Sequence, residues 1–272
     1  MRVLLTGSNG MLGSDLVNEF KDLDLYAFGR EQLDIAKKSS IIKIFKKIKP
    51  NVVINSGAYT DVDGSEKNKR QALKVNATAV RNIAMTCKRL DATLVHFSTD
   101  YVFDGRNKNG YRENDKKNPI NYYGYTKSLG EDYILKITRK YFIIRSSWLF
   151  GKNGKNFAHA ILKKSNDGSI EVVDDQIGSP TYTKDLARAT KEIVQNYDYG
   201  IYHITNSGCC TWFEFAEEIL RLNNSKTKVI PIKSHQLQRP ARRPKCSILI
   251  NTKFKNKLPL WNEALKRYLG EF

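Results

Sequence analysis

The sequence predicts an α/β protein built on a doubly wound parallel sheet, with a smaller α/β region at its C-terminal end. Apolar segments with the length of buried strands alternate with helical apolar stripes over residues 1–150. Strands that alternate with helices form parallel sheets through right-handed crossovers. The alternation loosens after residue 150, so we predict one domain over residues 1–150 and a second region over residues 151–272. We expect that second region to return a strand and a helix to the main sheet.

The predicted elements follow from apolar periodicity and from glycine and proline breaks. In the first domain the predicted strands are 3–5, 25–28, 52–54, 93–97 and 141–146, and the helices are 12–20, 41–48, 71–90 and 122–136. Beyond it we predict helices 156–164, 183–195, 212–222 and 260–269, and strands 170–173, 202–204 and 229–232. Ligands of doubly wound sheets bind outside the carboxyl ends of the strands. The segments that follow each strand are therefore where functional residues are expected.

Three glycines follow the first strand at regular spacing, Gly7, Gly10 and Gly13, and a helix begins directly after them. Glycines at this point let backbone N–H groups approach a pyrophosphate, and the helix directs its positive N-terminal end at that charge. The arrangement predicts a dinucleotide site on a Rossmann-type fold. The alternative is a plain tight turn, because three spaced glycines alone are weak evidence.

Composition excludes several classes of protein. No apolar run approaches the roughly 18 residues of a membrane span, and the N-terminus lacks a cleavable signal pattern. The four cysteines and the four histidines show no metal-ligand spacing, so we predict no metal site and a reducing, cytoplasmic location. The net charge of +18 comes from scattered lysines, which favours a solvated surface that attracts anionic nucleotides. We therefore expect no nucleic-acid partner and no membrane partner, and keep a basic nucleic-acid binder as a rival interpretation.

Tyr123 and Lys127 lie at i and i+4 on one face of the helix predicted after the fourth strand. A tyrosine with an ordinary pKa of about 10 is a slow proton donor at neutral pH, and a nearby ammonium lowers that pKa. Such a pair can protonate a carbonyl oxygen while hydride reaches the carbon. Two tyrosine–arginine pairs share the spacing, but neither combines a lysine with this place in the fold.

A second polar group, Ser98, Thr99 and Asp100, follows the fourth strand. A hydroxyl at this strand end can donate a hydrogen bond to the same carbonyl oxygen and orient it. The alternative is a strand end whose hydroxyls cap a turn.

Together these segments resemble the extended short-chain dehydrogenase/reductase superfamily and, within it, the family of dTDP-4-dehydrorhamnose reductases. The similarity covers residues 1 to about 255 and rests on Thr-Gly-Ser-Asn-Gly-Met-Leu-Gly (6–13), Ser-Thr-Asp-Tyr-Val-Phe-Asp-Gly (98–105) and Tyr-x-x-x-Lys (123–127). Further matching segments are 30–35, 58–60, 145–151, 156–157, 175–181 and 239–244. Met11 and Cys246 depart from the residues usual in the family, Gln and Asn.

The resemblance implies NADPH or NADH as cofactor and an NAD(P)-binding role for residues 1–150. The cofactor would contact the glycine segment, the end of the second strand and the segment after the third: Gly7, Asn9, Gly10, Met11, Leu12, Gly13, Arg30, Asp34, Ile35, Ala58, Tyr59 and Thr60. Tyr123 would donate the proton, and Lys127 would hold the nicotinamide ribose. For Asp34, a helix N-cap is the alternative.

The resemblance also implies the reaction, which is reduction of the C4 keto group of dTDP-4-dehydro-6-deoxy-L-mannose to dTDP-L-rhamnose for cell-surface polysaccharide. Residues 151–272 would mainly bind this dTDP-sugar. The implied substrate contacts are Thr99, Asp100, Trp148, Asn156, Arg242 and Arg243, with Thr99 orienting the carbonyl. Trp148 in the core and a solvated arginine loop are the alternatives.

Two rival functions share this fold. One is reduction of another nucleotide-linked 4-keto-6-deoxy sugar, and the other is a non-catalytic regulatory subunit that keeps the nucleotide site. A homodimer and a Mg²⁺ requirement are compatible with the resemblance, and the sequence decides neither.

Overall fold

The computed structural model describes residues 1–271. The elements of the first half are β1 (Arg2–Thr6), α1 (Met11–Glu19), β2 (Asp24–Phe28), α2 (Lys38–Ile48), β3 (Val52–Asn55), α3 (Val62–Lys67), α4 (Lys69–Leu73), α5 (Val80–Arg89), β4 (Thr93–Thr99), α6 (Tyr122–Ile137) and β5 (Tyr141–Ser146). The second half contains β6 (Leu149–Phe150), α7 (Phe157–Lys163), β7 (Ser169–Val173), β8 (Ile177–Gly178), β9 (Thr181–Tyr182), α8 (Thr183–Asn196), β10 (Gly200–His203), β11 (Cys210–Thr211), α9 (Trp212–Leu222), β12 (Lys228–Ile232) and α10 (Trp261–Leu269). None of the helices within residues 1–271 combines the length and apolarity needed to cross a membrane.

Six parallel strands form the central sheet in the order β10-β5-β4-β3-β1-β2. The predicted fold class, a doubly wound parallel sheet, is confirmed. Strand β10 comes from the second half of the chain and pairs with β5 at the edge of the sheet. The chain order reverses between β1 and β3, where doubly wound sheets bind their ligands. The domain boundary at residue 150 stays a prediction.

Alternate residues of each central strand enter opposite apolar layers. On one face Leu5, Ile54 and Phe97 pack against α1 and α8. On the other face Leu4, Val53 and Leu94 pack against α2, α5 and α6. Burial of each such side chain contributes about 1.5–3 kcal/mol. Because both faces are covered, only the strand ends remain for a ligand.

The predicted helix 71–90 is not uniform. Helices α4 and α5 are joined by a π-helical turn, Lys74–Ala79. Within this turn the Asn76 side chain accepts a hydrogen bond from the Tyr59 N–H at 2.8 Å and donates one to the Tyr59 carbonyl at 3.0 Å. Asn76 also donates to the Thr126 hydroxyl on α6 at 3.2 Å. The turn therefore ties the loop after β3 to α6.

Candidate active site

The turn after β1 needs glycine for two geometric reasons. Gly7 has a φ of +72°, and a Cβ on it would lie 2.8 Å from the Gly57 nitrogen. A Cβ on Gly13 would lie 2.0 Å from the Gly7 carbonyl oxygen. Helix α1 begins here after Gly10, which provides no side-chain cap, so its first N–H groups are available to an anion. The residues present thus fit the pyrophosphate of a dinucleotide.

A cavity of about 240 Å³ opens beside this turn. The predicted cofactor residues that line it are Gly7, Asn9, Gly10, Arg30, Asp34, Ile35, Ala58 and Tyr59. Of the other predicted contacts, Leu12 and Gly13 are buried under the turn. Sequence reasoning missed Gln71 and Val75, which approach the cavity from the α4 region. Asp34 also accepts a hydrogen bond from the Ala36 N–H at 3.0 Å, so it stabilises its own turn while it lines the cavity.

Replacing Gly13 by Ala is expected to weaken NADPH binding at least about tenfold, because the new methyl group meets the Gly7 carbonyl. Titration of the change in nicotinamide fluorescence measures the dissociation constant. Gly168→Ala is the matched control, since a Cβ there has nothing within 4 Å. Equal affinity of the two variants for NADPH would contradict a role of the glycine turn in binding the cofactor.

Helix α6 is fixed at its N-terminus by contacts on two sides. Asn121 caps it by accepting from the Gly124 N–H at 2.8 Å, and its amide nitrogen donates to the Arg242 carbonyl at 2.8 Å. A Cβ on Gly124 would lie 2.0 Å from the Tyr101 carbonyl oxygen, so α6 packs tightly on the turn after β4. This contact brings the Tyr123 hydroxyl within hydrogen-bonding reach of Thr99.

The hydroxyls and the carboxyl group form a short chain. Thr99 donates to Asp100 Oδ1 at 2.8 Å and also lies within hydrogen-bonding reach of the Tyr123 hydroxyl. Burial raises the pKa of Asp100 to about 6, against hydrogen bonds from Ser247 and Thr99. Asp100 Oδ2 is buried without a hydrogen bond of normal geometry among residues 1–271. The predicted substrate contacts Thr99 and Asp100 are therefore in contact with each other.

Burial raises the pKa of Tyr123, and the Asp100 carboxylate raises it further. The expected lowering by Lys127 is not found, because the Lys127 Nζ donates to the Phe97 carbonyl at 2.6 Å instead. Burial lowers the pKa of Lys127 itself to about 8, against the opposing effect of Glu131. Tyr123 thus keeps its proton at neutral pH, as a proton donor must.

Trp148 lies at the end of β5 in a left-handed backbone conformation, with a φ of +48°. Its indole stacks on Trp212, with ring centroids 3.5 Å apart and planes 5° from parallel. A Cβ on Gly178 would lie 2.4 Å from that indole. Trp148 is half-buried in this stack, and Trp212, which sequence reasoning missed, supports it from α9.

Asn156 lies beside the glycine turn. Its Oδ1 caps α7 by accepting from the His159 N–H at 2.9 Å, and its Nδ2 donates to the Gly151 carbonyl at 2.8 Å. The same nitrogen lies 3.6 Å from the sulfur of Met11. These contacts hold the amide beside Met11 at the start of α1.

A larger cavity, of about 890 Å³, lies near the N-terminus of α6 and is lined in part by Arg242. Its charged lining is mostly basic: Asp104, Arg106, Lys108, Asp175, Arg239, Arg242, Arg243 and Lys245. Arg243 is tied to Asp63 on α3 by two hydrogen bonds of 3.1 and 2.9 Å. Arg242 is exposed, and its guanidinium has no partner within the described chain. Residues 1–271 contain no cluster of three or more His, Cys, Asp or Glu side chains that could hold a metal ion.

A glycine-cradled cavity, a Thr–Tyr–Lys group at the end of β4 and a basic cavity beyond it define a nicotinamide-dependent oxidoreductase of the extended short-chain class. The family described as "RmlD substrate binding domain" matches residues 1–272. The chain belongs to this family. The predicted relationship to dTDP-4-dehydrorhamnose reductases is confirmed.

Relatives of known name match over nearly their full length. The chain is 37% identical to the spore coat polysaccharide biosynthesis protein SpsK of Bacillus subtilis, covering 99% of this chain and 97% of that protein. It is 35% identical to dTDP-4-dehydrorhamnose reductase of Aggregatibacter actinomycetemcomitans, covering 97% of each. The same identity, 35%, relates it to dTDP-4-keto-6-deoxy-D-glucose reductase of Streptomyces niveus, over 91% of this chain and 88% of that one.

Solved structures agree with the fold. The dTDP-4-dehydrorhamnose reductase of Bacillus anthracis, in complex with NADP, has a TM-score of 0.97 and 39% identity, over 100% of this chain and 99% of that one. UDP-glucose 4-epimerase of Thermus thermophilus has a TM-score of 0.82 at 18% identity, covering 99% of this chain and 98% of its own, and shows the fold alone.

Proposed function

We propose that this protein reduces the C4 keto group of dTDP-4-dehydro-6-deoxy-L-mannose to give dTDP-L-rhamnose, with NADPH as the hydride donor. The observation that carries the proposal is the contact between Thr99, at the end of β4, and Tyr123 on α6. Helix α6 also connects the two cavities. Its N-cap Asn121 binds the Arg242 carbonyl at the basic cavity. Its Thr126 binds Asn76, which holds the Tyr59 loop of the other cavity.

The proposed chemistry needs one hydride and one proton. A bound nicotinamide supplies the hydride to the carbonyl carbon. Tyr123 donates its hydroxyl proton to the carbonyl oxygen, and burial keeps the phenol protonated at neutral pH before the transfer. Thr99 orients the same oxygen once its own proton turns away from Asp100. Lys127 lies one helical turn from Tyr123, and we assign it the role of holding the nicotinamide ribose.

The basic cavity fits the diphosphate of a nucleotide sugar. Arg242 presents a free guanidinium to it, and a guanidinium fork matches phosphate oxygens. Arg243 is bound to Asp63, so we assign it the role of fixing the loop rather than contacting phosphate. We keep Trp148, which is half-buried and stacked on Trp212, as a candidate contact for the sugar or base.

A preference for NADPH over NADH is part of the proposal. Of the residues that follow β2, Arg30 and Asp34 are the charged side chains that line the cofactor cavity, and Asp34 already accepts from the Ala36 N–H. Arg30 lines the cofactor cavity and is exposed, so it can pair with a 2′-phosphate. The presence of NADP in the Bacillus anthracis relative supports this.

Replacing Arg30 by Ala is expected to raise the KM for NADPH about tenfold or more and to leave the KM for NADH nearly unchanged. A hydrogen bond to a charged group contributes about 1.5–3 kcal/mol, and only NADPH has the phosphate that would receive it. Initial rates with each cofactor measure this. Arg139→Ala, an exposed arginine after α6, serves as the control. Equal increases for both cofactors would contradict a role in phosphate recognition.

The substrate is tested by the oxidation of NADPH with a panel of dTDP- and UDP-linked 4-keto-6-deoxy sugars. We expect dTDP-4-dehydro-6-deoxy-L-mannose to give the largest kcat/KM. A higher value for the D-gluco compound would favour the rival suggested by the Streptomyces niveus relative. Saturable NADPH binding without turnover of any sugar would favour a regulatory subunit. The four free cysteines accord with the cytoplasmic location that we also propose, and a homodimer remains a prediction.

A further inference from the structure

A chain of buried polar side chains runs beneath the glycine turn to Lys127. Thr6, at the end of β1, donates to Asn55 Oδ1 at 2.7 Å. The Asn55 Nδ2 lies 3.1 Å from the Nδ1 of His96 on β4. The His96 Nε2 lies 3.5 Å from the Nζ of Lys127 on α6. Thr6, Asn55 and His96 are each no more than 1% exposed, so water does not compete for these contacts.

The order of donors along this chain fixes the His96 tautomer. In the structure the Thr6 hydroxyl donates to the Asn55 oxygen, and this orientation of the amide directs the Asn55 nitrogen at the imidazole. An amide nitrogen only donates, so the His96 Nδ1 accepts and carries no proton. Burial, with the nearby Lys127 charge, holds the pKa of His96 well below its usual value, so the ring is neutral. Its single proton therefore lies on Nε2, directed at Lys127.

A second buried histidine has the opposite arrangement. The Nδ1 of His203 lies 3.1 Å from the Tyr111 carbonyl and 3.2 Å from the Ile250 carbonyl, and both of these groups only accept. Its Nε2 lies 3.2 Å from a guanidinium nitrogen of Arg145, which only donates. His203 thus carries its proton on Nδ1. His203 therefore provides, in the same protein, a comparison of the opposite tautomer for His96.

We propose that Thr6, Asn55 and His96 form a positioning chain that presents an N–H donor to Lys127 and so favours its neutral amine over its ammonium form. This inference rests on the proposed function only where it concerns the pH dependence of kcat. A neutral amine can accept from the His96 Nε2–H while it donates to the Phe97 carbonyl. An ammonium would face another donor across 3.5 Å.

The charges around Lys127 are few. Glu131 lies one turn further along α6 and favours the ammonium, but Arg145 and Lys117 already pair with it. From β4 only His96 and the Phe97 carbonyl face the Nζ atom. The donor on His96 is therefore a main local influence on the charge of Lys127, beside its burial, which also lowers its pKa.

The tautomers can be read directly by long-range ¹H–¹⁵N correlation spectra of the ¹⁵N-labelled protein between about pH 6 and 9. His96→Gln and His203→Gln variants assign the signals. We expect His96 to be neutral with its proton on Nε2 and His203 to be neutral with its proton on Nδ1. A proton on His96 Nδ1, or on both of its nitrogens, would overturn the proposal without any assay of activity.

The consequence for Lys127 is tested with Asn55→Asp, which offers only acceptors to His96 Nδ1. The His96 proton should move to Nδ1, and Nε2 would then accept from the Lys127 ammonium. We expect the alkaline limb of kcat against pH to move up by about one pH unit, a tenfold change in the lysine equilibrium. His96→Gln should move it in the same direction.

The double variant Asn55→Asp/His96→Gln distinguishes the effect of the His96 tautomer on the alkaline limb from the direct effect of the added aspartate charge. Transmission through His96 predicts that the double variant moves the limb no further than His96→Gln alone. The proposal would be overturned if the shifts of the alkaline limb in the two single variants added up in the double variant. It would also be overturned if the spectra of Asn55→Asp showed the changed tautomer while its alkaline limb stayed in place. A wild type that reduces no keto sugar would instead refute the proposed function, and the spectra would still decide the tautomer.

Discussion

Replacing Tyr123 by Phe is expected to lower kcat for keto-sugar reduction about a thousandfold and to leave the KM for NADPH nearly unchanged. The substitution keeps the ring, which packs edge-on against Tyr101 at 5.8 Å, and removes only the hydroxyl beside Thr99. General acid catalysis contributes about 10²–10⁴ in rate, so its loss should appear in kcat rather than in binding. Single-turnover and steady-state oxidation of NADPH both measure the effect.

Tyr125→Phe is the matched control for this prediction. Tyr125 lies on the same helix two residues later and is 48% exposed, so its hydroxyl is directed away from the site. Its loss should leave kcat within about twofold. Equal rates for wild type and Tyr123→Phe would remove Tyr123 from the mechanism, and equal losses in both variants would indicate damage to α6 instead.

Replacing Glu131 by Gln is expected to lower the free energy of unfolding by about 3–5 kcal/mol. Glu131 is fully buried on α6 and accepts two hydrogen bonds from Arg145, at 3.0 and 2.8 Å. It also accepts from Ser98 at 2.5 Å and lies 3.2 Å from the Lys117 ammonium. The neutral amide would leave the buried Arg145 guanidinium without a counter-charge, whereas Lys117 would keep its ion pair with Asp132.

Urea unfolding at neutral pH measures this loss, with Glu218→Gln as control. Glu218 pairs with the exposed Arg221 on α9, a surface pair whose loss should cost less than about 1 kcal/mol. The surrounding cations, Arg145 first, lower the pKa of Glu131 to about 2, against the effect of burial. Its stabilisation is therefore present above its ordinary pKa of 4.5 and is lost as the pH falls from there through about 2. The difference between wild type and variant should narrow over that range, and a difference that is independent of pH would contradict the account.

The fold could be predicted from the sequence because its signals are local. Strand 141–146 and helix 212–222 agree with the structure at both ends, since apolar period and flanking breaks determine them. The π-helical turn at Lys74–Ala79 could not be predicted. It depends on Asn76 pairing with the Tyr59 backbone, a contact between segments that are adjacent only in the fold.

Some features of the candidate site could likewise be predicted from the sequence, and others could not. The Tyr123–Lys127 spacing and the strand-end Thr99 were visible in the sequence, and the structure brings Thr99 and Tyr123 together. The expected lowering of the Tyr123 pKa by Lys127 is absent, and the Lys127 Nζ atom instead donates a hydrogen bond to the Phe97 carbonyl. The spacing of the four histidines, which indicates no metal site, also gives no sign of the place of His96. Its partner Asn55 comes from the neighbouring strand, and only the sheet order places the two side by side.

The most direct measurement is the structure of the product formed from dTDP-4-dehydro-6-deoxy-L-mannose and NADPH deuterated at the nicotinamide C4. We expect one NADPH to be consumed per sugar. We also expect proton NMR to show deuterium at C4 of the sugar in the L-rhamno configuration. A product with the opposite configuration at C4, or deuterium at another position, would contradict the proposed reaction, and the absence of any NADPH consumption would contradict a reductase of this sugar.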